Sequence, residues 1–398
     1  MTNLYRPLRS LREGRWFKLI CGASFQHLPA VRSLTLAYAL AGADCIDVAA
    51  DPVVIGIAQD ALRVAAALLE ANWELGRQVE GLPWLMVSLN DGEDPHFRKA
   101  EFDASVCPSE CSRPCETICP AQAIVFGRGN SFSGVVDSIC YGCGRCLPVC
   151  PIQNIATRAY VSTPAAIAPL VLTGVDAVEI HTQVGRLADF SRLWQAIQPQ
   201  VDQLKLVAIS CPDGAGLIDY LWSLYELISP LPCPLIWQTD GRPMSGDIGD
   251  GATRAAVRLG QKVLAAGLPG YVQLAGGTNR HTVPKLQALQ LTQETARLKQ
   301  ASVQPANYVA GVAYGSYARS ILTPILAALE PSAESSVDLA GSCFDSVRAA
   351  SQNSPVLRLE QAPDLLWQAV SQAHLLVSQI KAPELHLSFE DFLSEATN

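Results

Sequence analysis

The sequence predicts an α/β protein built on one parallel barrel. Short apolar runs of strand length alternate with helix-length segments through most of the chain, and each of eight runs is followed by a helix. Strands separated by helices pair in parallel, because each helix returns the chain across the sheet. Residues 16–100 and 159–330 together match the roughly 250 residues of a (β/α)8 TIM-type barrel. The runs lie at residues 16–21, 45–49, 84–89, 177–181, 205–210, 234–238, 271–275 and 308–313.

An open, doubly wound sheet uses the same alternation and is the main alternative, although eight units at this length favour the barrel. Residues 1–100 then carry the first three strands, residues 101–158 form an insert, and residues 159–330 supply the other five strands. Residues 331–398 form a C-terminal helical extension. Apolar residues at three- and four-residue spacing after Pro363 predict an amphipathic helix there, which either caps the barrel or docks a partner.

Composition restricts the classes of function. The 398-residue chain has 29 Lys and Arg against 37 Asp and Glu, a net charge of −8, and no basic run, which argues against nucleic-acid binding. Its 49% hydrophobic residues suffice for a sizeable core. The longest uncharged stretch, residues 159–175, falls short of the roughly 20 apolar residues of a membrane-spanning helix, and residues 1–16 lack the apolar core of a secretory signal. We therefore expect a cytoplasmic protein without a transmembrane segment.

Eight of the thirteen cysteines fall between residues 107 and 150. In a chain without an export signal, such a cluster indicates metal binding rather than disulfides. Over residues 140–151 the second run reads C-x2-C-x2-C-x3-C-P, which is the bacterial ferredoxin pattern for [4Fe–4S] clusters at every position. Over residues 107–120 the first run reads C-x3-C-x3-C-x3-C-P, so its end fits the pattern and its first two gaps are one residue longer.

Two such runs predict a ferredoxin-like insert with two [4Fe–4S] clusters that exchange their fourth ligands. A pair of zinc sites is the alternative, although zinc sites favour two C-x2–4-C pairs. Apolar residues at 118, 124, 125, 139, 152 and 155 are expected to limit access of water to the clusters. The predicted ligands are Cys107, Cys111, Cys115 and Cys150 for one cluster, and Cys119, Cys140, Cys143 and Cys146 for the other.

The insert follows the third strand, so it grows from a loop at the carboxyl face of the barrel, where barrel enzymes have their active sites. Loops after the last two strands are the usual phosphate-binding position of this fold. The glycines of these loops are interpreted either as ordinary turn glycines or as part of a site for flavin mononucleotide or a quinone. The long segment 240–251 is interpreted as a lid or ligand loop. No catalytic residue is nominated. The candidate ligand residues are His181, Asp240, Arg242, Gly276, Gly277, Thr278, Gly315 and Ser316.

Besides the cysteine runs, the chain carries WFKLICGAS at residues 16–24, DGRPMSGDIG at 240–249 and VQLAGGTN at 272–279. With these segments it resembles the light-dependent period family of cyanobacteria over its whole length. The resemblance implies an iron–sulfur redox sensor that couples photosynthetic electron transport to the period of the circadian clock. It also implies association with circadian clock and clock-input proteins, and it makes the eight cysteines from 107 to 150 cluster ligands.

Three functions follow from these observations. The first is a regulatory redox sensor whose barrel and tail pass a change at the clusters to partner proteins. The second is a flavin- or quinone-linked iron–sulfur oxidoreductase with its active site at the barrel mouth. The third, a simple electron carrier, gives the barrel no task, and the absence of an identifiable proton-transfer pair in the sequence favours the first.

Overall fold

The computed structural model describes residues 6–71, 81–92, 97–127, 132–159, 164–242, 249–293, 308–329 and 357–381. Twelve strands lie in these ranges, and eight of them form a closed, fully parallel barrel in the order β1-β2-β3-β8-β9-β10-β11-β12. The closed barrel confirms the parallel α/β prediction and excludes the open sheet. The strands are β1 (Trp16–Ile20), β2 (Cys45–Ala49), β3 (Trp84–Asn90), β4 (Arg98–Glu101), β5 (Ile124–Phe126), β6 (Ser133–Val135), β7 (Ala156–Ala159), β8 (Ala177–His181), β9 (Leu206–Pro212), β10 (Leu235–Asp240), β11 (Tyr271–Ala275) and β12 (Gly311–Tyr314).

Helices follow the barrel strands as the sequence alternation predicts. Proline at the first turn starts several of them, where its missing N–H leaves no intrahelical bond unmade. The described α-helices are Arg6–Arg12, Leu28–Leu40, Pro52–Ala71, Pro114–Ile118, Pro164–Val171, Leu187–Ile197, Leu217–Ile228, Thr253–Ala265, Thr282–Ala288, Ser316–Ala327 and Pro363–Lys381.

One described helix, Pro52–Ala71, has the length and apolar composition that could cross a membrane. It connects β2 to β3, and its buried residues belong to the main core of the barrel. A long apolar helix of a barrel passes the same test of length and composition, so this helix is weak support for a membrane span.

Some barrel strands end or begin later than the apolar runs that predict them, most clearly β9, β10 and β12. In β9 and β10 the pairing continues through Thr239 opposite Cys211 and Asp240 opposite Pro212. Polar residues end an apolar run in the sequence. They do not end the strand, because in a barrel their side chains can point into the interior. The last strand begins at Gly311 rather than at residue 308, and a Cβ at Gly311 would lie only 2.5 Å from the carbonyl oxygen of Trp16.

The amino-terminal end of the barrel interior is filled by large apolar side chains. Trp16 and Trp84 pack edge to face with ring centroids 5.9 Å apart. Met86 continues this cluster toward the centre, and Leu11 of the first helix covers it from outside. This end of the barrel is therefore closed by packing, and polar residues of the interior lie farther toward the carboxyl ends of the strands.

The C-terminal helix Pro363–Lys381 packs on the barrel. Leu366, Val370, Ala373 and Val377 are buried in the main core. Ahead of the helix, Glu360 accepts two hydrogen bonds of 2.6 Å from the guanidinium of Arg32. The apolar face predicted for this helix is thus covered by the barrel. The rest of the predicted extension (residues 331–356 and 382–398, with Cys343) and residues 243–248 of the predicted lid segment lie outside the described residues.

Candidate functional site

The cysteine-rich insert connects β3 to β8 at the carboxyl face of the barrel. Its base is the antiparallel pair of β4 with β7, and a second antiparallel pair joins β5 to β6. The insert leaves the barrel directly after Asn90, the last residue of β3. The cysteines therefore stand beside the barrel mouth.

Asp91 anchors the insert where it leaves the barrel. Its carboxylate accepts hydrogen bonds from Arg186 Nε (3.0 Å) and Thr182 Oγ1 (2.5 Å), and its amide donates to the carbonyl of His181 (3.1 Å). Burial raises the pKa of Asp91, while the bonds from Thr182 and Arg186 oppose this rise. The ring of Phe97 lies edge-on to His181 at 5.4 Å. The insert is thus fixed to the end of β8.

The last cysteine of each run is followed by a turn, and the two turns have the same pattern. The amide of Ala123 donates to Cys119 Sγ at 3.2 Å, and the amide of Asn154 donates to Cys150 Sγ at 3.3 Å. Gln122 lies three residues after its cysteine, as Gln153 does, and both have a φ of 53°. The shared pattern Cys-Pro-x-Gln was visible in the sequence as CPAQ and CPIQ, and the spacing analysis missed it.

Four cysteines line one cavity inside the insert, and we call them the inner set: Cys119, Cys140, Cys143 and Cys146. Ala123, Ile124 and Tyr141 complete part of its wall. Gly142 and Gly144 have φ values of 68° and 73°, which only glycine adopts readily. Their lack of side chains lets the backbone turn tightly between the cysteines, as expected for a loop whose amides approach a cluster.

The remaining cysteines of the two runs form the outer set: Cys107, Cys111, Cys115 and Cys150. Burial raises the pKa of Cys115, and the charges of Cys150 and Cys107 raise it further. Cys115 and Cys150 also belong to one apolar cluster of the insert. The side-chain amide of Asn154 lies 3.8 Å from Cys107 Sγ, and its backbone amide bonds Cys150. Cys111 follows Cys107 in a local turn, in which its amide donates to the carbonyl of Pro108 at 3.1 Å.

The donor sets fit a cationic cluster. Burial raises the pKa of Cys146 to about 12, and the adjacent Cys143, Cys140 and Cys119 add to the rise. Thiols crowded in this way ionise together only when a positive centre binds them, which is the chemistry of iron–sulfur ligation. Over the described residues, no three His, Cys, Asp or Glu side chains converge closely enough to hold a single metal ion.

Part of the inner loop packs against the barrel, and two of the apolar residues expected around the clusters are partly exposed. Tyr141 and Cys143 of the inner loop pack against the main core of the barrel, whereas Ile118 and Ile152 are 39% and 42% exposed. The prediction that residues 118 and 152 shield the clusters is therefore wrong, because both side chains face solvent. Ile124 and Ile155 are buried beside the cysteines as expected.

Tyr141 connects the inner loop to the barrel. Its ring packs edge to face on Phe25, with centroids 5.8 Å apart, and the guanidinium of Arg319 lies 4.0 Å above it. Arg319 Nη1 in turn donates to the carbonyls of Ile20 (2.8 Å) and Cys21 (2.9 Å) at the end of β1. These contacts bring together residues that are distant in sequence, and nothing in the sequence pattern predicted them.

A buried polar network fills the middle of the barrel. Lys18 pairs with Glu179 and lies 3.3 Å from Asp47, and these three side chains are at most 2% exposed. Gln238 donates to Glu179 at 2.5 Å, and His181 Nε2 lies 2.9 Å from the same carboxylate oxygen. The network thus extends from β1 to His181 at the mouth, and its side chains occupy the centre of the barrel.

Two glycines among the candidate mouth residues are tightly packed. A Cβ at Gly276 would lie 1.8 Å from Asp240 Oδ1, and one at Gly277 would lie 2.8 Å from the carbonyl oxygen of Ala252. Both glycines have positive φ, at 64° and 90°. These positions suit the turn-glycine interpretation.

The other loop residues make local bonds. Thr278 Oγ1 donates to the carbonyl of Ala313 at 2.6 Å, and Ser316 Oγ accepts a bond from Arg319 Nη2 at 3.1 Å. Gly315 precedes the helix Ser316–Ala327, and Arg242 is the last described residue before residue 249. A phosphate or ring ligand at this mouth stays a prediction.

A barrel that carries a cysteine-rich insert with these donor sets is, by class, an iron–sulfur protein. The LdpA Fe-S cluster-binding domain matches residues 107–161, and the Light dependent period A C-terminal domain matches residues 170–379. The chain is 50% identical over 377 residues to Light dependent period A of Synechococcus elongatus, covering 94% of each chain. The chain therefore belongs to the light dependent period A family, and its cofactor is of the iron–sulfur type.

Proposed function

We propose that this chain is a cytoplasmic redox sensor in the light-input pathway of a circadian clock. It would carry two [4Fe–4S] clusters in a ferredoxin-like insert on a TIM-type barrel, and its partners would be clock and clock-input proteins. The name of the relative, Light dependent period A, supports a role in setting period according to light. The matched iron–sulfur domain supports the chemistry of the sensor.

The ligand assignment follows the two sets of cysteines. The inner set would hold one cluster and the outer set the other, so each run lends its last cysteine to the other cluster. When bound, each cluster accepts or releases one electron, which changes the charge at its site. The amide bonds of Ala123 and Asn154 to sulfur would stabilise thiolate character at Cys119 and Cys150. Backbone N–H groups oppose the effect of burial at Cys150 and lower its pKa.

One observation carries the sensing proposal: Tyr141 lies in the inner cysteine loop and contacts both Phe25 and Arg319 of the barrel. A change of charge at the inner set would act on the guanidinium of Arg319, which holds the end of β1 through two carbonyls. The outer set, in which Cys107, Cys111 and Cys150 are partly exposed, would exchange electrons with external donors. The inner set would pass the change to the barrel surface.

The alternative is a flavin- or quinone-linked oxidoreductase. The ion pairs of Lys18 with Glu179 and Asp47 occupy the barrel centre, and Gly276 and Gly277 are tightly packed. These features favour regulation over catalysis at the mouth.

Hydrogen exchange of the anaerobic holoprotein, oxidised and then reduced with dithionite, tests the sensing route. We expect reduction to change amide protection in residues 22–27 and in the helix Ser316–Ala327, in addition to the insert. Tyr141→Leu keeps all eight cysteines and should abolish the change in the barrel, with iron content as the control. If reduction changes only residues 97–159 in the wild type, the barrel does not sense the clusters.

The clock role has a cellular test. In a cyanobacterium whose own gene of this family is replaced, the wild-type chain should restore the dependence of circadian period on light intensity. Cys143→Ser should fail to restore it, and Cys211→Ser, which changes a buried cysteine of β9, should succeed. Equal rescue by both variants would contradict the role of the inner set.

A further inference from the structure

A cavity of about 570 Å3 lies between the insert and the outer helices of the barrel. Pro120, Ile139 and Tyr141 form its insert wall, and each of them adjoins a cysteine of the inner set. Leu34 and Arg319 lie on its barrel wall. The volume falls within the roughly 300–1,000 Å3 of small-molecule sites, which are frequent at boundaries between two structural units.

Among the described residues that line this cavity, Arg319 is the one Lys, Arg, Asp or Glu side chain. Its bonds go to neutral groups: Nη1 donates to the carbonyls of Ile20 and Cys21, and Nη2 to Ser316 Oγ. Its Nε is buried without a hydrogen-bond partner. Within the described part of the chain, no carboxylate pairs with this guanidinium. A partly buried cation without a counter-ion favours an anion beside it.

The rest of the lining is mostly apolar. The rings of Phe25 and Tyr141 lie near the guanidinium, and Leu34, Leu326 and Leu329 supply aliphatic surface. A strongly charged ligand such as a phosphate would leave most of its charge against apolar groups, which is costly. A single negative charge on an apolar body matches both parts of the lining.

We propose that this cavity binds an amphipathic organic monoanion, a monocarboxylate with an apolar chain or ring, with Arg319 as its counter-ion. The proposal extends to regulation of the inner cluster and in that part rests on the proposed function. The guanidinium of Arg319 lies over the ring of Tyr141, and Tyr141 lies between Cys140 and Cys143 in the sequence. The positive charge of Arg319 therefore favours the reduced, more negative state of a cluster held by the inner set. A bound carboxylate cancels that charge and lowers the midpoint potential.

Calorimetric titration of the anaerobic holoprotein with octanoate tests the site, with neutral octanamide as the matched probe. We expect octanoate to bind at least tenfold more tightly than octanamide. Arg319→Gln should weaken octanoate binding at least tenfold, and Arg319→Lys should retain most of it. Arg192→Gln removes an exposed guanidinium on another helix, with its side chain 68% exposed, and should have no effect.

Ala327→Trp blocks the cavity from its rim without altering Arg319, and it replaces Arg319→Gln if that variant loses iron. Equal affinity for octanoate and octanamide, no binding of either, or unaltered binding in the blocked variant overturns the site. A midpoint potential followed by electron paramagnetic resonance should fall with octanoate and stay constant with octanamide. Binding without that shift overturns the regulation and keeps the site. Iron analysis separately reports whether the inner cluster exists, so failure of the proposed function is recognised independently.

Discussion

Lys18 and Glu179 form an ion pair inside the barrel, with the side chains 1% and 0% exposed. The pair joins β1 to β8, the strand that follows the insert. Asp47 is the second carboxylate near the Lys18 ammonium, at 3.3 Å, and Ser88 donates to it at 2.8 Å. Lys18 thus neutralises part of the charge of two buried carboxylates, and the stability of the barrel interior depends on its ammonium group.

Replacing Lys18 should destabilise the barrel severely. Lys18→Met removes the cation from two buried carboxylates, and breaking a buried pair in this way costs about 3–5 kcal/mol in free energy of unfolding. Urea unfolding followed by tryptophan fluorescence measures the change. Lys205→Met breaks the partly exposed pair with Asp176 and should cost at most about 1 kcal/mol. A loss of free energy of unfolding in Lys18→Met as small as that expected for Lys205→Met would show that the interior pair is not important for stability.

Stability should fall as pH rises through the titration of Asp47. Burial raises the pKa of Asp47 from 3.8 to about 6, although the charge of Lys18 opposes the rise. Between these values the folded chain holds a proton that the unfolded chain releases, so folding loses stability as pH increases to about 6. In the folded chain Glu179 stays ionised over this window, because the neighbouring Lys18 and His181 outweigh burial and lower its pKa from 4.5 to about 2. In the unfolded chain Glu179 still titrates near 4.5, so its contribution to stability rises with pH up to that value, and the fall caused by Asp47 is seen above it.

Asp47→Asn mimics the protonated side chain and tests this dependence. Relative to wild type, the variant should gain on the order of 1–2 kcal/mol between pH 5 and pH 7, since one unit of pKa corresponds to about 1.4 kcal/mol. Calorimetric Tm values of both proteins at several pH values measure the difference. A difference that stays constant over this range would contradict the raised pKa.

The strands of the barrel were predictable because parallel strands buried on both faces are continuous apolar runs. Seven of the eight runs overlap their strands within two residues at each end, and the last one is displaced toward Gly311. The rule weakened where polar residues point into the barrel. Thr239 and Asp240 end the apolar run of β10 but still pair with β9.

The cysteine pattern was predictable, and its attachment to the barrel was not. The ferredoxin spacing of the two cysteine runs predicts the inner and outer sets, because all eight cysteines lie in one short segment of the sequence. The contact of Arg319 with Tyr141 joins residues 178 positions apart in the sequence, so only the folded chain reveals it. The roles of Gly276 and Gly277 were ambiguous for a similar reason, since their neighbours Asp240 and Ala252 lie elsewhere in the chain.

Removing one ligand from each set should remove iron in equal steps. Cys143→Ser and Cys115→Ser should each retain about half of the iron, because only one [4Fe–4S] site loses a ligand. The double variant should retain almost none, and Cys211→Ser should retain all of it. Iron and acid-labile sulfide analysis of anaerobically purified protein gives the measurement. Full iron in either single variant, or zinc in place of iron in the wild type, would reject the two-cluster assignment.

The left-handed glutamine of the first Cys-Pro turn should control how well the clusters survive in air. Gln122 has a φ of 53° and lies between Cys119 and Ala123, whose amide bonds the sulfur. A left-handed residue other than glycine is strained by roughly 1–2 kcal/mol, and β-branched residues tolerate this backbone least. Gln122→Gly should therefore keep the turn, and Gln122→Val should distort it and expose the cysteine sulfur.

The rate at which cluster absorption bleaches in air measures this effect. We expect Gln122→Gly to bleach no faster than wild type, and Gln122→Val to bleach several-fold faster. Gln290 follows the helix Thr282–Ala288, far from the insert, and has a similar φ of 57°. Gln290→Val is therefore the matched control. That control should lower the Tm by a comparable amount and leave the bleaching rate unchanged. Equal bleaching of the two valine variants would mean that general stability, rather than the cysteine turn, protects the clusters.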